Sequence, residues 1–278
     1  MPRTQYKVYR THRRRRRFSL LIVVAAAVVL AAGIRTRYDS GRAVTAEALT
    51  APTATPVTPL FDETPAERDF TLPSSTWYAL QTGLYTDEAS ALQVAGMLTD
   101  RGAPGYILSQ NGKFRVLIAC YGEQAEADAM RARLSQHQTV ETIVYRWSCE
   151  PVTLRLSGMA GQLDAVEAGL TLLFQTAPEM RNLAVAADRG EYTADEIQAM
   201  LASMDAQLDL WDDTVRSRFV MPHPAIVTES LTLCANVREA VAGVQKASTV
   251  TDLSAALKLQ SMALYERLND FRMFLSGL

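Results

Sequence analysis

The spacing of apolar and polar positions between residues 76 and 149 predicts a sheet built from a repeated unit. An alternating strand is predicted over 76–85 and an amphipathic helix over 87–101. The unit is then repeated by an extended piece, a strand, a helix and a last strand, over 105–110, 113–121, 123–136 and 140–147. Asn111-Gly112 between two apolar runs predicts a hairpin. The expected order is therefore βαββαβ.

Side chains alternate between the two faces of a strand, so the same pattern also assigns faces. The more apolar set, expected beneath the helices, is Tyr78, Leu80, Thr82, Leu84, Phe114, Val116, Ile118 and Cys120. The set on the other face is Trp77, Ala79, Gln81, Gly83, Lys113, Arg115, Leu117 and Ala119. Trp77, Gln81, Lys113 and Arg115 are thus predicted to share the open face of the two central strands. Tyr145 and Trp147 fit either face, with at least one expected in the core.

Two motifs in this stretch resemble the SPOR domain, the sporulation-related repeat. They are Trp77-Tyr78-Ala79-Leu80-Gln81-Thr82-Gly83 and Asn111-Gly112-Lys113-Phe114-Arg115-Val116-Leu117-Ile118. The resemblance implies a four-stranded antiparallel sheet with two helices on one face. It also implies an open face that binds peptidoglycan glycan strands stripped of their stem peptides, which are concentrated at division septa. The chain departs from the family at Leu84 and at Ala119-Cys120, where small polar residues and Gly-Pro are common.

The resemblance places the positions of Gln81 and Arg115 on the glycan-binding face. A neutral sugar polymer is recognised by planar amide and guanidinium groups and by apolar or aromatic platforms. Lys113 and Trp77 complete the candidate glycan-binding set. The alternatives are two solvated polar residues for Gln81 and Arg115, and packing at the rim for Trp77.

A βαββαβ sheet is also used in RNA recognition, but the residues argue against that function. The middle strand lacks the aromatic signature of RNA-binding sheets. A metal hydrolase is disfavoured because the chain has three histidines, His12, His137 and His223, without a ligand spacing. We therefore expect no catalytic residues, no metal, no cofactor and no nucleic acid. The alternative is a cell-wall hydrolase or hydrolase activator whose activity lies in the C-terminal region.

The N-terminus predicts a membrane anchor. Residues 1–17 hold eight positive charges and no acid, whereas residues 18–278 hold 20 basic and 30 acidic residues, a net charge of -10. Residues 18–34 carry no charge, and this run of about 25 Å is just long enough to span a bilayer. The positive-inside rule then keeps the tail cytoplasmic and exports the rest of the chain. A cleaved signal peptide is the alternative.

Residues 35–75 are expected to form a tether, because they contain five of the 11 prolines among Thr and Ala. Residues 152–278 begin with a short extended piece and then show four apolar stripes typical of an antiparallel helical bundle of no recognised family. Thr193 and Glu196 form a capping box at the start of the second helix. The bundle is expected to serve as a spacer or to bind a protein partner.

The chain has three cysteines, and free thiols are expected for all of them. Cys120 and Cys149 are expected at opposite ends of the sheet, because the first and third strands are taken to run parallel. Together these patterns predict an α+β protein with a transmembrane helix and a helical bundle. The predicted function is a single-pass cell-membrane protein that binds denuded glycan strands and localises to septal or sporulation-related cell wall.

Overall fold

Four of the predicted strands pair into one antiparallel sheet. The computed structural model describes residues 64–137, 141–221 and 223–278. The elements are β1 (Pro65–Leu72), β2 (Ser75–Tyr85), α1 (Glu88–Thr99), β3 (Tyr106–Gln110), β4 (Lys113–Tyr121), α2 (Gln124–His137), β5 (Ile143–Cys149), β6 (Val152–Met159), α3 (Ala160–Asp188), α4 (Ala194–Arg218), α5 (Ala225–Gln245) and α6 (Val250–Leu275). The spatial order of the strands in the sheet is β3-β4-β2-β5. The hairpin is confirmed, since Asn111 and Gly112 both have positive φ, 52° and 68°, as a two-residue type I′ turn requires.

The direction of the central strands differs from the sequence expectation. β2 and β4 run antiparallel, so Cys120 lies opposite Ala79 on one side of β2 and Cys149 lies opposite Ser75 on the other. The two cysteines are therefore near the same end of the sheet, and the expectation of opposite ends is wrong. All three cysteines are nevertheless free and buried.

Two irregularities shift the faces along the central pair. Leu80 faces Ala119 and Gln81 faces Leu117, which leaves Ile118 as an extra residue in β4. A second shift between Gln81 and Gly83 leaves Thr82 extra in β2. Each extra residue reverses the alternation beyond it.

The shifts correct four of the predicted faces. Leu84 is paired with Arg115 and belongs to the face opposite the helices, where it is 43% exposed. Gly83, expected on that face, is paired with Val116 on the face that the helices cover. Cys120 and Ala119 exchange faces, so that Ala119 packs with Leu80 and Cys120 joins the other core. Period-two alternation within one strand cannot foresee a bulge, which explains the four errors.

Helices α1 and α2 cover one face of the sheet, as the pattern predicts. Ala91, Ala95 and Leu98 of α1 pack with Val116, and Ala127 of α2 packs with Leu80. Asp87 caps α1 by accepting a hydrogen bond of 2.8 Å from the Ser90 amide. This hydrogen bond lowers the pKa of the Asp87 carboxyl.

The tether prediction for residues 35–75 is wrong at its C-terminal end. Residues 65–72 form β1, which pairs with β6 along its whole length, from Pro65 opposite Met159 to Leu72 opposite Val152. The apolar side chains of Phe70 and Leu72 pack into the core. Phe70 and Leu72 alternate with polar residues, a pattern typical of a strand. The tether prediction relied on the proline content and missed this pattern. The remainder of this range, residues 35–63, lies outside the described residues.

The four C-terminal helices form the predicted bundle. Each helix packs against the next, and α6 returns to pack against α3. The capping box is confirmed: the Thr193 hydroxyl accepts from the Glu196 amide at 3.3 Å, and the Glu196 carboxylate accepts from the Thr193 amide at 2.8 Å. The Trp211 indole donates to the Ala165 carbonyl at 2.8 Å, and its ring lies where a Cβ on Gly169 would stand.

The sheet and the bundle share one hydrophobic core within a single compact unit of the described residues. Trp77, Leu117 and Trp147 of the sheet belong to the same buried cluster as Leu201 and Leu257 of the bundle. The predicted cytoplasmic tail and transmembrane helix, residues 1–34, lie outside the described residues. In the described ranges no helix combines the length and apolar character that crossing a membrane needs.

Candidate functional site

The face of the sheet opposite α1 and α2 is divided into two halves. The lower half consists of the start of β2 and β3 and the end of β4 and β5, and it packs against α3 and α6. The upper half consists of the other ends of these strands. It carries the polar positions that the sequence singled out, and several of its side chains are exposed.

The lower half is an aromatic cluster centred on Tyr265 of α6. The Tyr265 ring stacks on Trp77 with 4.1 Å between centroids and meets Trp147 edge-on at 4.8 Å. Its hydroxyl donates to the Ser75 carbonyl at 3.0 Å. The Arg181 guanidinium of α3 lies 4.7 Å from the Trp77 ring centroid. These contacts anchor the bundle to the sheet.

Trp77 is therefore a core residue. Only 1% of its surface is exposed, so the prediction that it lies on an open face is wrong. Alternation placed it on the correct side of the sheet, but the pattern of one strand says nothing about which distant helix covers that side. Trp147 is also buried, as expected for at least one of the last-strand aromatics.

The upper half brings Gln81 and Arg115 into direct contact. Arg115 Nη1 donates to Gln81 Oε1 at 2.8 Å, and the guanidinium carbon lies 4.3 Å from the centroid of the Tyr145 ring. The Tyr145 hydroxyl donates to Gln110 Oε1 at 2.7 Å. Lys113 is exposed beside them, directly opposite Gln110 across the hairpin. We call these five residues the polar strip: Gln81, Gln110, Lys113, Arg115 and Tyr145.

Two exposed apolar side chains lie beside the polar strip. Ile143 is paired with Gln81 in the sheet and is 56% exposed, and Leu84 is paired with Arg115. Because paired residues project from the same face, the strip and its apolar neighbours extend over all four strands. With strands about 4.8 Å apart, this surface is about 14 Å wide from β3 to β5.

The polar strip has unused hydrogen-bonding capacity. Arg115 Nε is buried and has no hydrogen-bond partner among the described residues. No carboxylate in the described ranges forms an ion pair with Arg115 or Lys113. Gln81 itself is only 4% exposed, because Arg115 and its neighbours cover it. A ligand therefore meets Arg115, Lys113, Tyr145 and Gln110 before it reaches Gln81.

Comparison with known proteins identifies the domain family of the stretch that contains the polar strip. The SPOR domain family model matches residues 74–145. This stretch is a SPOR domain. The solved peptidoglycan binding domain of the B. subtilis cell wall lytic enzyme CwlC also matches, with 25% identity over 27% of this chain and 95% of that chain and a TM-score of 0.24. No curated protein matches the chain.

Of the four candidate residues in the SPOR domain, the structure brings together three. Gln81, Arg115 and Lys113 share the upper half, whereas Trp77 lies in the lower half. Sequence reasoning missed Tyr145 and Gln110 as members of the strip. The hairpin register was a usable signal for Gln110, because an Asn-Gly turn pairs Gln110 with Lys113. For Tyr145, the alternation with buried Trp147 was compatible with the same face.

Two acids of α4 and two buried cysteines lie away from the polar strip. Asp205 and Asp209 of α4 form ion pairs with Arg238 of α5 at 2.9 and 2.6 Å. Burial raises the pKa of the Cys120 thiol, and it raises that of Cys234 to about 12, so neither is a thiolate at neutral pH. Among the described residues no three His, Cys, Asp or Glu side chains are grouped to hold a metal ion.

Proposed function

We propose that the protein binds peptidoglycan glycan strands through the polar strip of its SPOR domain. The observation that carries the proposal is the Arg115–Gln81 pair beside the Tyr145 ring, without a carboxylate partner for the arginine among the described residues. A guanidinium, two amides and a phenol hydroxyl supply donors and acceptors for sugar hydroxyl and N-acetyl oxygens. Leu84 and Ile143 supply apolar contacts for the faces of the sugar rings.

The bundle limits where a glycan strand fits. Since α3 and α6 cover the lower half, a strand is accommodated across the four β-strands of the upper half and not along them. Stem peptides that project toward the bundle would meet its surface. This arrangement favours a strand stripped of its peptides, which is the finer specificity that we propose.

We further propose that residues 18–34 anchor the protein in the cell membrane with the N-terminus cytoplasmic and the SPOR domain outside. The support is the charge asymmetry and the uncharged run in the sequence. In this account the protein acts by localisation to septal or sporulation-related cell wall and not by catalysis. A reporter fused after Leu278 should be active only in its extracytoplasmic form, and activity in the cytoplasm would contradict the proposed topology.

A sacculus experiment tests the proposed function. The full-length protein is incubated with purified sacculi, with or without prior amidase treatment, and the bound protein and soluble fragments are measured separately. We expect more binding to the stripped sacculi, without release of muropeptides, because removal of the peptides opens the strand to the strip. A protein that binds neither preparation would refute the proposal, and released muropeptides would favour a hydrolase.

A further inference from the structure

A cleft lies on the other side of the Tyr265 cluster from the polar strip. It has a volume of about 310 Å³ and is bounded by the β1–β2 connection and by helices α3 and α6. Its walls include Phe174 and Pro178 of α3, Leu268 and Arg272 of α6, and the connection from Leu72 to Ser75. This volume is at the lower end of the range for small-molecule sites, so a ligand of a few residues in size is the appropriate scale.

Arg272 gives the cleft a buried positive charge. The residue is 6% exposed, and its guanidinium carbon lies 4.7 Å from the Phe174 ring centroid. Nη1 donates to the carbonyls of Glu150 at 3.2 Å and Leu72 at 3.5 Å. Within the described part of the chain no carboxylate forms an ion pair with Arg272.

Among the described residues, this buried cation is contacted by two carbonyls and the face of the Phe174 ring, and no anion balances its charge. Withdrawing a guanidinium from water is costly unless an anion or a full set of acceptors replaces the water. A carboxylate entering the cleft would supply that anion in the planar, two-oxygen form that a guanidinium binds best. Charge complementarity therefore indicates an anionic ligand.

Pro178 leaves one backbone carbonyl of α3 without its helical hydrogen-bond donor. A proline has no amide hydrogen, so the Phe174 carbonyl, four residues earlier in α3, lacks the donor that an uninterrupted helix provides. Both residues line the cleft. A carbonyl without its helical donor keeps the capacity to accept a hydrogen bond from a ligand N–H, and Asn269 and Gln175 are polar residues of the same lining.

We propose that this cleft binds the carboxyl end of a short peptide. The terminal carboxylate pairs with Arg272, the last peptide N–H donates to the Phe174 carbonyl, and small apolar side chains contact Phe174 and Leu268. A protein C-terminus and a cell-wall stem peptide share this chemistry and differ in the configuration of their residues. The proposal does not depend on glycan binding at the polar strip.

Isothermal titration calorimetry on the full-length protein tests the proposal with four kinds of probe. N-acetyl-alanyl-alanine is titrated in its L,L and D,D forms to distinguish the two sources, alongside the C-terminal amides and the ester analogue in which lactate replaces the last alanine. We expect one or both acids to bind with a Kd of about 1 mM, as suits a ligand of this size. The amide, which lacks the charge, and the ester, which lacks the N–H, should each bind at least about ten-fold more weakly.

Arg272→Gln should abolish binding of the acid, whereas Arg267→Gln should leave it unchanged, because Arg267 is exposed on the same helix. If Arg272→Gln fails to fold, the comparison of acid with amide on the unaltered protein still decides. Equal affinity for acid and amide, no heat from either acid at ten times the expected Kd, or full binding by a folded Arg272→Gln variant would each overturn the proposal.

Discussion

Replacing Trp77 distinguishes a core residue from an exposed sugar platform. Its 1% exposure and its stack on Tyr265 at 4.1 Å mean that Trp77→Ala leaves a large cavity between the sheet and the bundle. Truncation of a buried tryptophan costs about 3 to 5 kcal/mol. For a protein of this size the corresponding fall in Tm is about 6 to 20 °C. Thermal and urea melts of the full-length protein, followed by circular dichroism, measure both quantities.

Two control variants separate packing from surface effects. Trp77→Phe keeps an aromatic ring against Tyr265 and should recover part of the lost stability. Lys113→Ala removes an exposed side chain from the same face and should change the free energy of unfolding by no more than about 0.5 kcal/mol. If Trp77→Ala melts like Lys113→Ala, Trp77 is exposed and the bundle does not cover the lower half of the sheet.

Three further predictions concern the bulges, the bundle and pH. Leu80→Ala should cost about 2 to 5 kcal/mol in a urea melt and Leu84→Ala no more than about 0.5 kcal/mol, and the reverse order would contradict the bulge at Thr82. Gly169→Ala should destabilise the bundle by about 1 to 3 kcal/mol or more, since the new Cβ would overlap the Trp211 ring, and an unchanged melt would contradict that packing. Burial raises the pKa of Glu266, so its charged form is disfavoured in the folded state and stability should fall as pH rises from the ordinary glutamate value through the raised one. In urea melts across this pH window, the free energy of unfolding should change less with pH for Glu266→Gln than for the parent. An equal pH dependence in the two proteins would exclude Glu266 as its cause.

Local signals predicted the elements of the SPOR domain and the bundle well. The Asn111-Gly112 turn fixed the hairpin because few residue pairs tolerate two positive φ values. The Thr193 and Glu196 pair marked the start of α4 because both of its hydrogen bonds form within one turn. These features depend on neighbours in sequence, which is why the pattern was sufficient.

The errors all involve partners far apart in the sequence. The bulges at Thr82 and Ile118 arise between two strands, so neither strand's own alternation contains them. Trp77 is buried by Tyr265, 188 positions later in the chain, and β1 is stabilised as a strand only because β6 pairs with it. The pattern of one strand predicts which side chains share a face. Which element packs on that face depends on tertiary contacts.

In the candidate site, too, local patterns predicted some residues, and contacts between distant strands added others. Gln81, Arg115 and Lys113 were placed together by alternation, because they precede or border the bulges. Tyr145 joins them through a ring contact with Arg115, and Gln110 through its hydrogen bond to Tyr145. These contacts span strands that are not adjacent in the sheet, and alternation within a strand does not predict them.

Affinity of the Arg115→Ala variant for purified, peptide-free glycan strands tests the central claim most directly. Binding of labelled strands to the full-length protein is measured by fluorescence anisotropy, with Arg146→Ala as the matched control. Arg146 is an exposed arginine of the same sheet, and it is paired with Tyr78, which projects toward the helices. We expect Arg115→Ala to lose about 1 to 3 kcal/mol, or roughly five-fold to a hundred-fold in affinity, and Arg146→Ala to bind like the parent. An Arg115→Ala protein that is folded and binds glycan with the parental affinity would contradict the assignment of the polar strip as the binding site.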